Sequence, residues 1–166
     1  MPMDFFLDAL RPSDWEQVRG IYLEGMASQN ATFETEAPTW EKWDAAHLAF
    51  GRLVARDPDF VLGWSALSAV SDRFCYAGVA EASLYVATCY RGKGIGKALL
   101  QATIDVAEKN GIWTLQAGIF LENHVSLALV KKCGFREVGR RERLGKLHGA
   151  WRDVLLLERR SNLVGI

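Results

Sequence analysis

A chain of 166 residues, 49% of them hydrophobic, is long enough for one full core and too short for two ordinary domains, so a single domain spanning residues 1–166 is expected. Lys plus Arg and Asp plus Glu stand at 20 each, leaving no overall charge to hold a polyanion, and the basic stretches Arg140-Arg141-Glu142-Arg143 and Glu158-Arg159-Arg160 are short and broken by acids. Cys75, Cys89 and Cys133 are odd in number and lack C-x-x-C spacing. With no basic-then-apolar leader and no membrane-length apolar run, they point to a reduced, cytoplasmic protein with no metal site and no nucleic acid or membrane partner.

Phe5 to Leu10 reads as a first strand, and Ser13-Asp14-Trp15-Glu16 has the S-x-x-E form of a capping box opening a helix that runs to about Met26. Asn30, Thr32, Thr35 and Pro38 favour a loop over residues 27–39. A second helix begins at Thr39, which puts Trp40, Trp43 and His47 at helical spacing. Arg52 to Arg56 and Phe60 to Leu67 are the arms of a hairpin about Asp57-Pro58-Asp59. After the polar connector Ser71 to Phe74, Val79 to Ala87 is a strand rich in small and β-branched residues. Ile95, Leu99, Ala102 and Val106 mark one face of a helix that stops near Asn110-Gly111. Trp113 to Phe120 is a strand, Asn123 an N-cap for a helix to Lys132, and Gly134 its left-handed stop. Phe135 to Gly139 and Trp151 to Glu158 are the last strands, joined across Lys146 to Ala150. The order is that of a mixed α/β domain.

Between the strand ending near Ala87 and the helix from Ile95 lies Arg91-Gly92-Lys93-Gly94-Ile95-Gly96, followed by Lys97. A Walker A loop would need glycine at the position of Arg91 and Ser or Thr at that of Ala98. A dinucleotide fingerprint would need glycine where Lys97 or Leu99 stands. Both spacings fail. What remains is Arg-x-x-Gly-x-Gly running from a strand into a helix, where glycines bring backbone N–H groups close to one point and the helix N-terminus adds partial positive charge. A diphosphate suits such a turn, with Arg91, Lys93 and Lys97 as added cations.

This turn resembles the signature of the GNAT superfamily of N-acetyltransferases, and Asn123-His124-Val125-Ser126 with Gly134-Phe135 resembles that superfamily's later landmarks. Leu10-Arg11-Pro12, Thr32-Phe33-Glu34-Thr35-Glu36, Glu81-Ala82-Ser83-Leu84-Tyr85-Val86 and His148-Gly149-Ala150-Trp151-Arg152-Asp153 are similar to the phosphinothricin and methionine-sulfoximine acetyltransferase group within it. The resemblance implies a mostly antiparallel central sheet flanked by about four helices, acetyl-CoA as cosubstrate, a small-molecule amine as acceptor and a homodimer. It places Leu84, Tyr85 and Val86 against the cofactor, with the Val86 amide as oxyanion donor, and aligns Glu81 with the general base. Asn123 and Ser126 fall on the pantetheine arm, and Phe33, Arg73, Glu81 and Ser83 at the acceptor. Phe33 and Tyr76 would equally serve as packing, and Trp151 as either a dimer contact or an intrachain one. Val130 stands where the group usually has His, so Glu81 works alone or with a substitute such as His124 or His148. Acetylation of the α-amine of a small amino acid is the leading expectation; a peptide N-acetyltransferase and a non-catalytic acetyl-CoA sensor are the alternatives.

Overall fold

A computed structural model describes residues 3–166. Seven strands form one sheet in the order β1-β2-β3-β4-β5-β7-β6: β1 (Phe6–Ala9), β2 (Leu53–Arg56), β3 (Val61–Ala69), β4 (Val79–Val86), β5 (Thr114–Phe120), β6 (Arg136–Leu147) and β7 (Ala150–Arg160). Every neighbouring pair is antiparallel except β4 and β5, which are joined through α3 (Ile95–Lys109). A crossover helix is what brings two consecutive strands back parallel. The other helices are α1 (Trp15–Ala27), α2 (Trp40–Ala46) and α4 (His124–Lys132). This is the mixed, mostly antiparallel α/β architecture that the sequence implies.

Strand alternation divides the core. On β3, Trp64 and Ala66 face α1 and α2, where they pack with Trp15, Val18, Ile21 and Trp43. Trp15, Trp40, Trp43 and Trp64 meet one another at ring-centroid separations of 5.7 to 5.8 Å, so four of the six tryptophans serve this interior. On the other face, Leu67 joins Leu100, Ile104, Ala107, Leu115 and Leu157 beneath α3. Ser65 turns the same way, and its hydroxyl meets that of the fully buried Thr103 at 2.7 Å; Thr103 also donates to the Leu99 carbonyl at 2.7 Å, so no polar atom of the pair is stranded.

Two local expectations change. The entry to α1 is not capped by Ser13 and Glu16: Pro12–Asp14 form a 3₁₀ turn, and the buried Asp14 carboxylate accepts from the Arg11 N–H at 2.8 Å and from both ends of the Arg56 guanidinium at 2.8 and 3.1 Å. A buried bidentate ion pair anchors the turn more firmly than an exposed serine would. The last two strands are also longer than expected. They continue to a two-residue turn at His148-Gly149, both left-handed at φ 48° and 81°, the geometry a tight hairpin needs. β6 is a sheet-edge strand, exposed along nearly all its length, and its charged sequence carries no apolar alternation to reveal it.

Candidate active site

The ladder between β4 and β5 is short. It pairs Val79–Glu81 with Thr114–Gln116 and then stops, although β4 continues to Val86 alongside β3 and β5 continues to Phe120 alongside β7. Beyond Glu81 the two strands follow different partners in a twisting sheet and leave a seam between them.

The backbone of β4 decides what the seam sees. The Tyr85 carbonyl lies against β3, where a Cβ on Gly63 would approach it to 2.9 Å, and the Ala87 N–H donates to the Leu62 carbonyl at 2.9 Å. Main-chain groups alternate along a strand, so those of Val86 face the opposite way, toward the seam. The Val86 carbonyl accepts from Arg91 Nε at 3.3 Å, and its N–H is on that same side. The side chains alternate as well. Leu84 and Val86 lie near the first turn of α3, within 3.9 Å of a Cβ placed on Gly96, while Tyr85 stacks on Trp64 at 4.9 Å on the α1 face and packs against Tyr22 at 4.9 Å. Burial pushes the phenols of both Tyr22 and Tyr85 above their ordinary range.

The glycine turn ends at the mouth of the seam. Gly92 and Gly94 are left-handed at φ 74° and 84°, and a Cβ on either would meet nothing within 4 Å; conformation, not space, requires glycine there. The bond from the Ala98 N–H to the Gly94 carbonyl, at 3.1 Å, is the first of the α3 ladder. The N–H groups of Ile95, Gly96 and Lys97 therefore have no partner within the helix and point out of its positive end. Gly96 is different: a Cβ on it would come 3.1 Å from Leu129 Cδ2, so it lets α3 approach α4. Arg91, Lys93 and Lys97 are exposed around this turn, Lys93 lying 5.5 Å over the Tyr90 ring. These N–H groups and cations fit the diphosphate of acetyl-CoA.

A cavity of about 420 Å³ fills the seam. Of the residues singled out in the sequence, Phe33, Glu81, Ser83, Leu84, Tyr85, Asn123 and Ser126 line it. Glu81 is half-buried at the fork, where Gln116 Nε2 donates to its Oε2 at 3.0 Å. Asn123 caps α4 by accepting from the Ser126 N–H at 3.2 Å, and its amide donates to the Asn30 carbonyl at 3.1 Å. Arg152 binds the same loop through the Gln29 carbonyl at 2.7 Å and Asn30 Oδ1 at 2.8 Å. The loop thus presents Phe33, whose ring meets Phe120 edge-on at 4.8 Å and leaves no room for a Cβ on Gly145, 3.0 Å away. Phe33 is both cavity wall and packing.

Other expected residues lie elsewhere. Arg73 and Tyr76 line a separate concavity of about 350 Å³, with the guanidinium 5.3 Å over the Tyr76 ring, because the 3₁₀ turn Phe74–Tyr76 folds that connector away from the seam. Neither His124 nor His148 lines the seam cavity, and Val130 reaches it from a buried apolar cluster with methyl groups alone. Two lining residues had no signal in the sequence: Gln116, which orients Glu81, and Arg141, which lies in a charged run without periodicity.

Residues 13–135 match the acetyltransferase (GNAT) family. The chain is 31% identical over 154 residues to the phosphinothricin N-acetyltransferase of Streptomyces coelicolor, across 88% of this chain and 90% of that one. It is 31% identical over 134 residues to the L-methionine sulfoximine/L-methionine sulfone acetyltransferase of Pseudomonas aeruginosa, across 80% of this chain and 73% of that one. The crystal structure of a GNAT superfamily phosphinothricin acetyltransferase from Sinorhizobium meliloti in complex with AcCoA has a TM-score of 0.88 and 28% identity, across 98% of this chain and 91% of that one. The strand parting, the glycine turn and the matched sequence lead to one conclusion: this chain belongs to the acetyltransferase (GNAT) family.

Proposed function

We propose that the protein transfers an acetyl group from acetyl-CoA to the α-amine of a small amino acid or analogue of the phosphinothricin or methionine-sulfoximine type. The observation that carries this reading is the fork at Glu81 and Gln116, which sets a carboxylate where the β4–β5 ladder ends and the two strands part. Acetyl-CoA supplies an acyl group activated as a thioester, whose thiolate leaves readily.

The chain's own residues supply the rest. The first N–H groups of α3, with Arg91, Lys93 and Lys97, hold the diphosphate. The Val86 N–H faces the thioester oxygen and stabilises the charge that develops on it. Glu81 takes the proton from the incoming ammonium, directly or through water, and the Gln116 amide fixes the carboxylate's orientation. Asn123 and Ser126 border the path of the pantetheine arm, while Phe33 and Ser83 border the acceptor. Val130 has no proton to give, and a thiolate needs none to depart, since a thiol's ordinary pKa is about 8.5. Trp151 on β7, 55% exposed, is the residue this reading assigns to a homodimer contact.

The test is a thiol-release assay of free amino acids and analogues against peptides with free N-termini, with products identified by mass spectrometry. Turnover of amino acids is expected. Turnover with peptides alone would replace this reading with protein acetylation, and tight acetyl-CoA binding without transfer to any amine would leave a sensor.

A further inference from the structure

We infer that Arg152 is a positioning residue for the acceptor: from outside the cavity it fixes residues 28–34, the loop that walls the acceptor, in the one conformation that binds. The inference rests on the acetyl-transfer reading above and adds to it a residue that touches neither substrate.

The loop supplies four consecutive residues, Ala31, Thr32, Phe33 and Glu34, to the lining of the seam cavity. It has no helix or strand of its own and leaves α1 through Gln29, which is left-handed at φ 56°. A glutamine gains nothing from that conformation and keeps it only where its surroundings hold it.

The hold converges on Asn30. Its N–H donates to Ser28 Oγ at 3.2 Å, just past α1, and its carbonyl accepts from Asn123 Nδ2 at 3.1 Å, at the start of α4. Its Oδ1 accepts from Arg152 Nη2 at 2.8 Å. Arg152 Nη1 adds a bond of 2.7 Å to the Gln29 carbonyl, so one guanidinium spans the strained residue and the next. Ser28 and Asn123 each contribute one neutral bond, whereas both bonds from Arg152 are charge-assisted, and its planar fork sets their angles as an ammonium would not.

Arg152 is itself held. It stands two residues before Val154, the ladder partner of Phe120, and so shares their face of the sheet; Val154 and Phe120 line the cavity and Arg152 does not. Its guanidinium lies 4.1 Å over the Phe120 ring, and Nη2 also donates to Glu122 Oε2 at 3.1 Å, leaving the side chain only 18% exposed. Phe120 in turn meets Phe33 edge-on, which carries the same contact back to the loop. A wall that adopts its binding conformation only part of the time weakens binding by that fraction without altering the complex once formed. Arg152 therefore governs acceptor affinity and leaves the glycine turn and the reacting groups as they are.

The experiment compares wild type with Arg152→Met, Arg152→Lys, Asn30→Ala, the Arg152→Met/Asn30→Ala pair and Arg136→Met, using L-methionine sulfone as acceptor, calorimetry for acetyl-CoA and circular dichroism for folding. In Arg152→Met, which preserves the apolar stem, the acceptor KM should rise about tenfold while kcat and acetyl-CoA affinity change by less than about twofold. Hydrogen exchange over residues 28–34 should quicken in the same variant. Arg152→Lys should recover a small part of the loss, and adding Asn30→Ala to Arg152→Met should cost little more, because both remove one bond. Arg136→Met, which breaks an exposed ion pair to Glu158 on the same hairpin, should stay near wild type.

An unchanged acceptor KM in Arg152→Met, an equal loss of acetyl-CoA affinity, full multiplication of the Arg152 and Asn30 effects, or the same KM rise in Arg136→Met would each overturn the role while leaving acetyl transfer intact. Should Arg152→Met fail to fold, Asn30→Ala carries the test through the same KM-against-kcat split. Failure of wild type to acetylate any amino acid, with acetyl-CoA bound, would instead remove the proposed function and this role with it.

Discussion

The two faces of the seam are built from different materials. Toward α3, the polar groups on offer are backbone N–H groups, exposed by two left-handed glycines and a helix end. Toward α1, they are side chains, with Glu81 from β4, Gln116 from β5, Arg141 from β6 and Phe33 from the loop after α1. A backbone site comes from a few contiguous residues and tolerates most changes of side chain, provided no Cβ is forced into its turn. A side-chain site depends on distant strands keeping register. The first suits a cosubstrate common to a large family, and the second suits an acceptor that varies within it.

The sharpest way to separate the two halves is Glu81→Gln. It should lower kcat by about a hundredfold or more, while calorimetry finds acetyl-CoA affinity near wild type. An unchanged kcat would exclude Glu81 as the base.

Gly94→Val tests the backbone half from the other direction. A side chain at φ 84° costs about 1–2 kcal/mol although nothing obstructs it. That energy must appear either as lower stability or, where the turn relaxes, as acetyl-CoA binding weaker by up to about thirtyfold. Denaturant unfolding and calorimetry together would catch it, and finding neither would mean the turn is not held as described.

Tyr85 sits between the halves, with its backbone on the β4 edge and its phenol in the aromatic core of the α1 face. Burial raises the Tyr22 and Tyr85 phenols, so they stay protonated in the folded protein after the unfolded chain begins to ionise. Their contribution is complete below about pH 10 and is lost as pH rises further, by up to about 1.4 kcal/mol per pH unit for the deeply buried Tyr85 and by less for the half-buried Tyr22. Tyr85→Phe should make alkaline unfolding shallower by one such proton. An identical slope in both proteins would show that the phenol is not buried in solution.

The same contrast explains what the sequence disclosed. Arg91 to Gly96 was legible because the cofactor end is local: glycine spacing, a strand before and a helix after carry the whole inference. The Asn123 cap and the Gly134 stop were legible for the same reason. The parting of β4 from β5 has no signal in the residues themselves, because no residue type marks where a ladder ends. Arg73 was a reasonable cation for the acceptor by its place in the connector, yet the 3₁₀ turn after it carries that segment to another concavity. Arg141 escaped notice since its place on the cavity wall follows from the pairing of β6 with β7, where it stands opposite Val154, and a charged run carries no sign of that register.

Between Arg141 and Gly145 the pairing of β6 with β7 slips by two residues, and that irregularity bears on solubility. β6 is one of the two free ends of the sheet, and twelve residues with a single partner would offer a passing strand a long template to zip against. The left-handed Arg143 interrupts that template midway, and Arg136, Arg140, Arg143 and Lys146 crowd its border with positive charge. That kink discourages other chains from extending the sheet, so changes that straighten β6 would be constrained by aggregation.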